Sequence, residues 1–335
     1  MSVQPPPRRV TSTDVARAVG LSRTTVSYVL NDTPNQKIPE ATRRRVLDAA
    51  TSLGYAPSAA ARALRSGRSD VVLCLLPDWP IGVVLGRLLE SMSMELARAG
   101  LTMLTHPGNG DDPVSHVLSA VTPAAVLSFE PFATDQQAFL RAAAIPVALV
   151  LADRRTRNRG LRGLDQRQVG RAQVEHLVAA GHHTLGYALS DDPRLGDFTG
   201  PRLEGVIKGC AEFGLREPMI RVVALDAVQS ATAVADWMSA EPRVTAVCAY
   251  NDEVAFAVLA GMRRHDLKAP KDLAVIGVDD IPTAPVADPP LTTVRMDEAV
   301  EGRYIAGCVV AALAGKSMPR NPGSNAISIA RRESA

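Results

Sequence analysis

Short apolar segments alternate with segments of helical periodicity throughout residues 69–335, and this alternation restricts the fold more than any other feature. The strand-like segments are VVLCLL (71–76), LTML (101–104), AAVLSF (124–129), PVALVL (146–151), TLGYAL (184–189), RVVAL (221–225), AVCAY (246–250) and LAVIGVDD (273–280). Strands that are apolar on both faces predict parallel sheets covered by helices on both sides. Since so many strands exceed one ordinary sheet, we expect two similar α/β subdomains with a cleft between them.

The first 68 residues differ from the rest of the chain in charge. They hold 11 Lys and Arg against 4 Asp and Glu, whereas residues 69–335 hold 26 basic and 31 acidic residues. The net charge of +2 therefore hides a basic head on an acidic body. This distribution is typical of a nucleic-acid-binding module joined to a separate globular domain.

Three short helices are predicted in the head. The first begins near Ser12–Thr13 and ends before Gly20, and the second covers Arg23 to Leu30 after Ser22 as N-cap. The third runs from Glu40 to Leu53, ends at Gly54, and is expected to bury an apolar stripe. That stripe consists of Val46, Leu47, Ala50 and Leu53. Two short helices joined by a glycine-containing turn predict a helix-turn-helix.

The second helix of such a motif reads base edges in the major groove. Arg23 can bond guanine, Thr24 can contact a base or a thymine methyl, and Tyr28 can reach the groove wall or a base. Phosphate contacts are expected from Ser22, Thr25, Ser27 and Asn31. The alternative is that these side chains form only the solvated face of a small helical bundle.

The segments VTSTDVARAVGLSRTTVSYVLN and PEATRRRVLDAATSLGYAP resemble the head of the LacI/GalR (lac-repressor) family of transcription regulators. The resemblance implies that Arg23, Thr24 and Tyr28 occupy the main base-reading positions of the family. Pro39 stands where the family usually has a serine N-cap, which the start of a helix tolerates.

The stem SAAARALRSGRS, which follows the head, reads from its residues alone as a flexible linker, because it is too short to hold a helix in water. The family resemblance implies a hinge helix over 57–68 that folds on the operator beside its copy from a partner subunit. Leu64 then matches the leucine that enters the minor groove, with Arg62 and Arg65 near phosphates or in that groove. Ser58 replaces the usual asparagine at the hinge start.

The resemblance continues through GHHTLGY, RLEG, TAVCAYNDEVAFAVL and LAVIGVDDIPTAPVADPPLTTVR. It implies an α/β core of the periplasmic-binding-protein fold over 69–335, preceded by an all-α helix-turn-helix head over 1–56. The implied N-subdomain covers about 69–163 and 296–317, and the C-subdomain about 164–294 and 320–335. The chain is then expected to cross between them near 161–165, 294–298 and 316–322.

Ligands of open α/β sheets bind beyond the carboxyl ends of the strands. Asn251 follows the strand AVCAY and Asp279 follows LAVIGV, while Arg202 lies in RLEG. The resemblance implies an effector-clamping arginine at Arg202 and hydroxyl-binding groups at Asn251 and Asp279. Each could instead be a turn or cap residue, and Asp252 could simply cap the helix that begins there.

The segment PDWPIGVVLGRLLE departs from the family pattern, because the loop after the first strand is reshaped and Trp79 is its one aromatic residue. Trp79 could stack on a sugar face or pack on the rim of the cleft; both readings stay open. Phe129, Phe132, Phe198 and Tyr250 are further aromatic candidates of the same kind.

Catalytic motifs such as GxSxG, HExxH, GxGxxG and the Walker loop are absent from the sequence, so we expect no enzyme, no metal site and no cofactor. The four cysteines are far apart and predict buried, reduced thiols. Without an apolar leader, the N-terminus predicts a cytoplasmic protein.

These features favour a homodimeric repressor that reads a palindromic operator and responds to a small polar effector, a sugar or related metabolite. An effector-independent or activating regulator, or a solute-binding protein with an added basic head, are the alternatives.

Overall fold

The structure is a computed structural model that describes residues 10–31, 33, 35–55, 69–108, 114–151 and 161–335. Contacts between residues divide the chain into two compact units, residues 1–70 and residues 71–335. We call them the head and the core, and each is described by itself.

The described part of the head contains the three predicted helices, α1 (Ser12–Val19), α2 (Arg23–Leu30) and α3 (Glu40–Ser52). A capping box starts α1, because the Thr11 backbone N–H donates to Asp14 Oδ2 at 2.9 Å while the Thr11 side chain accepts from the Asp14 N–H. Gly20 ends α1 in the left-handed region, at a φ of 66°. Ser22 caps α2, as predicted, by accepting from the Thr25 N–H at 3.0 Å.

The core of the head consists of small and β-branched residues from all three helices. Those buried are Val15, Ala16, Val26, Val29, Val46 and Ala50. The prediction that Leu47 and Leu53 complete the buried stripe is wrong, since they are 45% and 39% exposed. Val46 and Ala50, one turn apart, already supply the face of α3 that meets the other helices, and Leu47 lies about a quarter of a turn away from Val46.

Two sheets form the core of the chain. The first has the order β2-β1-β3-β4-β5 and is parallel throughout. Its strands are β1 (Val71–Leu76), β2 (Thr102–Pro107), β3 (Ala125–Ser128), β4 (Val147–Leu151) and β5 (Leu161–Arg162). The second has the order β11-β10-β9-β8-β6-β7. Its strands are β6 (Leu185–Ser190), β7 (Met219–Val223), β8 (Ala246–Ala249), β9 (Ala274–Val278), β10 (Thr292–Met296) and β11 (Ile327–Ala330).

Helices cover the faces of both sheets. The described helices of the core are α4 (Val83–Arg98), α5 (Val114–Ala120), α6 (Thr134–Ala142), α7 (Gln166–Ala179), α8 (Gly196–Glu212), α9 (Ala227–Ser239), α10 (Asp252–Arg263) and α11 (Glu298–Leu313). We call the first sheet with α4, α5, α6 and α11 the N-lobe, and the second sheet with α7 to α10 the C-lobe. Among the described residues, no helix has both the length and the apolar character needed to span a membrane.

The chain passes between the two lobes three times. It leaves β5 of the N-lobe and enters α7, which packs on β8, β10 and β11 of the C-lobe. It returns after β10 into α11, which packs on α4, β3 and β4, and it crosses again between α11 and β11. A cleft enclosed between two lobes with three connections follows from this topology.

The predicted alternation of strands and helices is confirmed, with three additions. Strands β5, β10 and β11 were not predicted from the sequence, and β11 pairs antiparallel to β10 on a sheet that is otherwise parallel. Helix α8 begins at Gly196, well before RLEG, and contains Pro201 in its interior. Its first turn thereby reaches into the space between the lobes.

Candidate functional site

A cavity of about 190 Å³ lies between the N-lobe and the C-lobe. Both lobes contribute to its wall, which is largely apolar and aromatic and carries a small group of charged side chains. The aromatic residues are Trp79, Phe129, Phe198 and Tyr250, and the charged residues are Arg202, Asp252, Glu253, Asp279, Glu298 and Glu301. The cavity lies where the family resemblance placed an effector.

Arg202 is buried in this wall, with only 4% of its surface exposed. Its Nε donates to Gln166 Oε1 at 2.7 Å and its Nη1 donates to the Tyr250 carbonyl oxygen at 2.8 Å. The guanidinium carbon also lies 4.7 Å from the centre of the Tyr250 ring. These contacts hold the guanidinium in one orientation at the wall of the cleft.

Asp279 follows β9 and faces the same guanidinium. Its Oδ1 lies 3.5 Å from Arg202 Nη2, and this oxygen accepts no hydrogen bond from the described residues. Burial raises the pKa of Asp279 to about 7, against the opposing effect of Arg202. The structure therefore brings together Arg202 and Asp279, two of the residues that the resemblance selected for effector binding.

The helix-capping role considered for Asp252 belongs to Asn251. Asn251 is the N-cap of α10, because its Oδ1 accepts from the Val254 N–H at 2.9 Å. Asp252 is fully buried and accepts from Thr293 Oγ1 at 2.6 Å and from the Ile281 N–H at 2.9 Å. The possibility that Asp252 caps the helix is thus wrong. Asn251 also lines the cleft; the cap uses one lone pair of its Oδ1, and its amide NH₂ group makes no bond to the cap.

Trp79 packs against aromatic rings of both lobes. Its ring centre lies 5.3 Å from that of Phe129 in the N-lobe and 4.6 Å from that of Phe198 in the C-lobe, in an edge-to-face arrangement. Its Nε1 also donates to Asp197 Oδ2 at 3.4 Å. Of the two readings for Trp79, the structure shows the packing on the cleft rim. Stacking on a ligand face remains a proposal.

Two further cleft residues, Glu298 and Glu301, were not identified from the sequence. They lie one turn apart at the start of α11, and Glu301 Oε1 accepts from the Leu164 N–H at 3.0 Å. Glu298 is 7% exposed, and its Oε1 accepts no hydrogen bond from the described residues. Glutamates in a first helical turn are ordinary, so their spacing alone gave no signal of a buried site.

The candidate base-reading residues lie on the exposed part of α2. Arg23 and Thr24 are exposed, whereas Tyr28 is half-buried. The candidate phosphate contacts are engaged with one another: Ser22 Oγ lies 2.8 Å from Thr25 Oγ1, and Asn31 Nδ2 donates to the Ser27 carbonyl oxygen at 2.6 Å. The hinge candidates Arg62, Leu64 and Arg65 lie outside the described residues.

Arg45 of α3 is a structural residue that sequence reasoning missed. Its Nη2 donates to the Val19 carbonyl oxygen at 2.7 Å and so satisfies the C-terminal end of α1. It links α3 to the end of α1, and a run of three arginines in the sequence gave no sign of which one does so.

The cysteines and metal-binding residue types do not form a further site. Cys74, Cys210, Cys248 and Cys308 are free and buried, as predicted. Burial raises the pKa of Cys74 to about 12 and that of Cys210 to about 11, which keeps both thiols protonated and unreactive. Over the residues that the structure describes, no cluster of His, Cys, Asp and Glu could hold a metal ion.

Comparison with known proteins supports both units. The model of the lacI family of bacterial regulatory proteins matches residues 11–58, and that of the periplasmic binding protein-like domain matches residues 174–335. The transcriptional regulator GalS of Salmonella typhimurium is 31% identical over 294 residues, covering 85% of each chain. The regulator DegA of Bacillus subtilis is 28% identical over 295 residues, covering 85% of this chain and 86% of its own.

Solved structures show the same fold. The lac repressor dimer bound to operator and the anti-inducer ONPF superposes with a TM-score of 0.80 at 21% identity, covering 98% of this chain and 99% of that one. The complex of the regulator CelR with cellobiose gives a TM-score of 0.66 at 22% identity, covering 98% of this chain and all of that one.

A helix-turn-helix head joined to a two-lobed α/β core with a cleft defines a DNA-binding transcriptional regulator rather than an enzyme. The 31% identity to GalS, over 85% of both chains, also identifies the family. The chain belongs to the lacI family of bacterial regulatory proteins.

Proposed function

We propose that this regulator is a homodimeric repressor, which reads a palindromic operator and is tuned by a small effector bound in the cleft. The observation that carries the proposal is the Arg202–Asp279 pair, buried in the wall of the cleft between the two lobes. Burying a charged pair is costly, so a buried pair in the wall of a cleft is a candidate binding site. An effector that bonds it would favour one arrangement of the lobes over another.

The head supplies the sequence-specific part of operator binding. Arg23 and Thr24 are exposed at the N-terminal end of α2, the part of a recognition helix that meets base edges. Tyr28 is one turn further along the same helix. We assign base contacts to Arg23, Thr24 and Tyr28. Phosphate contacts are assigned to Ser22, Thr25, Ser27 and Asn31, whose mutual hydrogen bonds keep their polar groups ordered.

The hinge over 57–68 would couple the cleft to the head. Ordering a segment of about a dozen residues costs free energy, so a small shift in the core can decide whether two hinges pair and fold on the operator. Leu64 is assigned to the minor groove, with Arg62 and Arg65 beside the phosphates. A palindromic operator requires two such heads, one for each half-site. We also propose a cytoplasmic location, because the operator DNA lies there.

An exposed apolar surface of the C-lobe fits the homodimer. β7 lies at the edge of the second sheet, where Ile220 and Val222 point to the same side and are 38% and 61% exposed. Leu225 and Val228, just beyond the strand, are 63% and 59% exposed. An unpaired strand edge with adjacent exposed apolar side chains is usually covered in the native assembly.

Operator selection followed by analytical ultracentrifugation tests the proposal. Double-stranded DNA selected from a random pool by the full-length protein should contain two inverted half-sites, because a twofold dimer presents two recognition helices. Val222→Asp should shift the protein toward monomer and weaken operator binding, whereas Lys208→Asp, at an exposed polar position of α8, should leave the protein a dimer. A single half-site, or a monomer that binds with full affinity, would contradict the homodimer.

A screen of sugars and nucleosides for operator release tests the effector part of the proposal. A compound that both raises the melting temperature and releases the operator supports repression tuned by an effector. Operator binding that no compound changes would instead favour an effector-independent regulator with the same fold.

A further inference from the structure

The charged groups of the cleft are mostly acidic. Arg202 is the one cation among the described residues that line it, whereas the carboxylates are Asp252, Glu253, Asp279, Glu298 and Glu301. Two of these are already used by the fold: Asp252 accepts from Thr293 and Ile281, and Glu301 accepts from Leu164. The charge of the three remaining carboxylates determines which ligands the cleft can bind.

Asp279 and Glu298 each bury an oxygen without a hydrogen-bond donor. Asp279 Oδ1 and Glu298 Oε1 accept no hydrogen bond from the described residues, although the two residues are only 8% and 7% exposed. Asp279 comes from the end of β9 in the C-lobe and Glu298 from the start of α11 in the N-lobe. A buried acceptor that lacks a donor costs free energy. Both residues line the same cleft from opposite lobes, so a ligand in the cleft that supplies donors would relieve this cost.

The existing cations do not balance these carboxylates. Arg202 directs Nε and Nη1 to Gln166 and Tyr250, and its Nη2 contact with Asp279 is long, at 3.5 Å. Arg87 of α4 is the cation that acts on Glu298, while its Nη1 donates to the Asp280 carbonyl oxygen. Burial raises the pKa of both Asp279 and Glu298, and the nearby carboxylates raise them further.

The rim of the cleft is also mostly acidic, with Arg194, which pairs with Asp192, as a cation near Asp78. The Trp79 Nε1 hydrogen-bonds to Asp197. Burial raises the pKa of Glu130, and Asp197 and Asp78 raise it further, so three carboxylates from both lobes lie near one another there. Aromatic rings adjoin them at Trp79, Phe129 and Phe198. Carboxylates with aromatic faces attract a positively charged group and repel an anion.

From these observations we infer that the cleft selects an effector that carries a protonated amine, which donates to Asp279 from one side and to Glu298 from the other. The inference rests on the proposed role of the cleft as the effector site. A hydroxyl ligand could satisfy the two acceptors but would leave their negative charge unbalanced. A carboxylate or phosphate ligand would increase the negative charge of the cleft. The remaining wall is apolar and suits an uncharged body of the ligand.

Matched probes that differ only in charge test the inference on the full-length protein. Tyramine, tyrosol and 4-hydroxyphenylacetate form one set, and glucamine, sorbitol and gluconate form the other. Isothermal titration at about pH 7.5 keeps both amines protonated. In at least one set, we expect the amine to bind about tenfold more tightly than its neutral partner, and the acid to bind most weakly.

Glu298→Gln is the decisive variant, since it keeps the shape and removes the charge. It should weaken binding of the preferred amine about tenfold and change binding of the neutral partner by less than about twofold. Glu175→Gln, on the exposed face of α7, is the matched control and should change neither. A neutral or anionic probe that binds as well as its amine, an amine preference that survives Glu298→Gln, or amines that all fail to bind at millimolar concentration would each overturn the inference.

Operator binding by the same samples separates this inference from the proposed function. If a neutral or anionic probe releases the operator while the amines do not, the cleft is an effector site of a different chemistry, and only the inference fails. If the protein does not bind a selected operator at all, the failure lies with the proposed function.

Discussion

The backbone of Gly170 in α7 lies directly against the backbone of Arg202 in α8. A Cβ atom at residue 170 would come within 2.1 Å of the Arg202 carbonyl oxygen, and one at Gly205 would come within 2.1 Å of the Arg167 carbonyl oxygen. The two helices therefore touch through reciprocal glycines, and this contact fixes the depth at which the Arg202 side chain enters the cleft.

Gly170→Ala should destabilise the core by about 1–3 kcal/mol, because the added methyl group must push α8 away from α7. Urea unfolding measures this loss, and any effector found for the cleft should bind more weakly as Arg202 moves. Gly196→Ala is the matched control on α8, since a Cβ there meets open space. Equal stability of the two variants would show that the helices are not in backbone contact.

The ionisation of Asp279 and Asp252 should destabilise the unliganded core as the pH rises from 5 to 8. Burial raises the pKa of Asp279 to about 7 and that of Asp252 to about 6, from the usual 3.8. A raised carboxyl pKa in the folded state favours the protonated form, so the contribution is complete below about pH 4 and is lost as the pH passes through 6 to 7. We expect a loss of roughly 2–4 kcal/mol by urea unfolding.

Asp279→Asn assigns that pH dependence to one residue. The variant cannot ionise there, so its stability should fall less between pH 5 and 8 than that of the natural protein. Asp236→Asn, a surface substitution beside Arg221, should keep the natural profile. Parallel profiles for the natural protein and Asp279→Asn would contradict the assignment.

Arg23→Ala should relax operator preference, because a bidentate arginine–guanine contact contributes about 1–3 kcal/mol of discrimination. Gel-shift titration should show weaker binding to the selected operator and little change on random DNA. Arg44→Ala, an exposed arginine on α3, is the comparison for a loss of charge alone. An equal loss on both DNAs for Arg23→Ala would assign it to phosphate rather than to a base.

Leu64→Ala should weaken binding to the operator more than to random DNA, because inserting an apolar side chain into a base step bends the duplex at a favoured sequence. DNA bending is measured from the gel mobilities of complexes on fragments that carry the operator at different positions. These mobilities should differ less with Leu64→Ala than with the natural protein. Unchanged bending with the variant would show that Leu64 does not enter the groove.

Local patterns predicted most of the helices and strands. Ser22 and Gly20 mark helix ends through their own side chain and backbone conformation, and β1, β8 and β9 are short apolar runs whose length suits a buried strand. β10 and β11 escaped prediction, because their pairing depends on residues that lie far apart in the sequence. Leu47 was assigned to the buried face because periodicity alone does not fix where a stripe of two or three residues is centred.

The candidate effector site was predictable only in part. Arg202 and Asp279 came from the family resemblance, and the structure brings them within ion-pair distance. Glu298 and Glu301 were missed because the path of the chain back into the N-lobe determines that they face the cleft. Their burial is a tertiary property that the motif DEAVEG does not encode.

The positions of the two tryptophans give the molecule a built-in optical reporter. Trp237 is fully buried in the C-lobe, with its Nε1 donating to the Met219 carbonyl oxygen, so its emission should stay constant while the fold is intact. Trp79 lies between Phe129 and Phe198 of opposite lobes, where any opening of the cleft changes its surroundings. Intrinsic fluorescence can therefore follow the lobes in real time, without a label and without DNA.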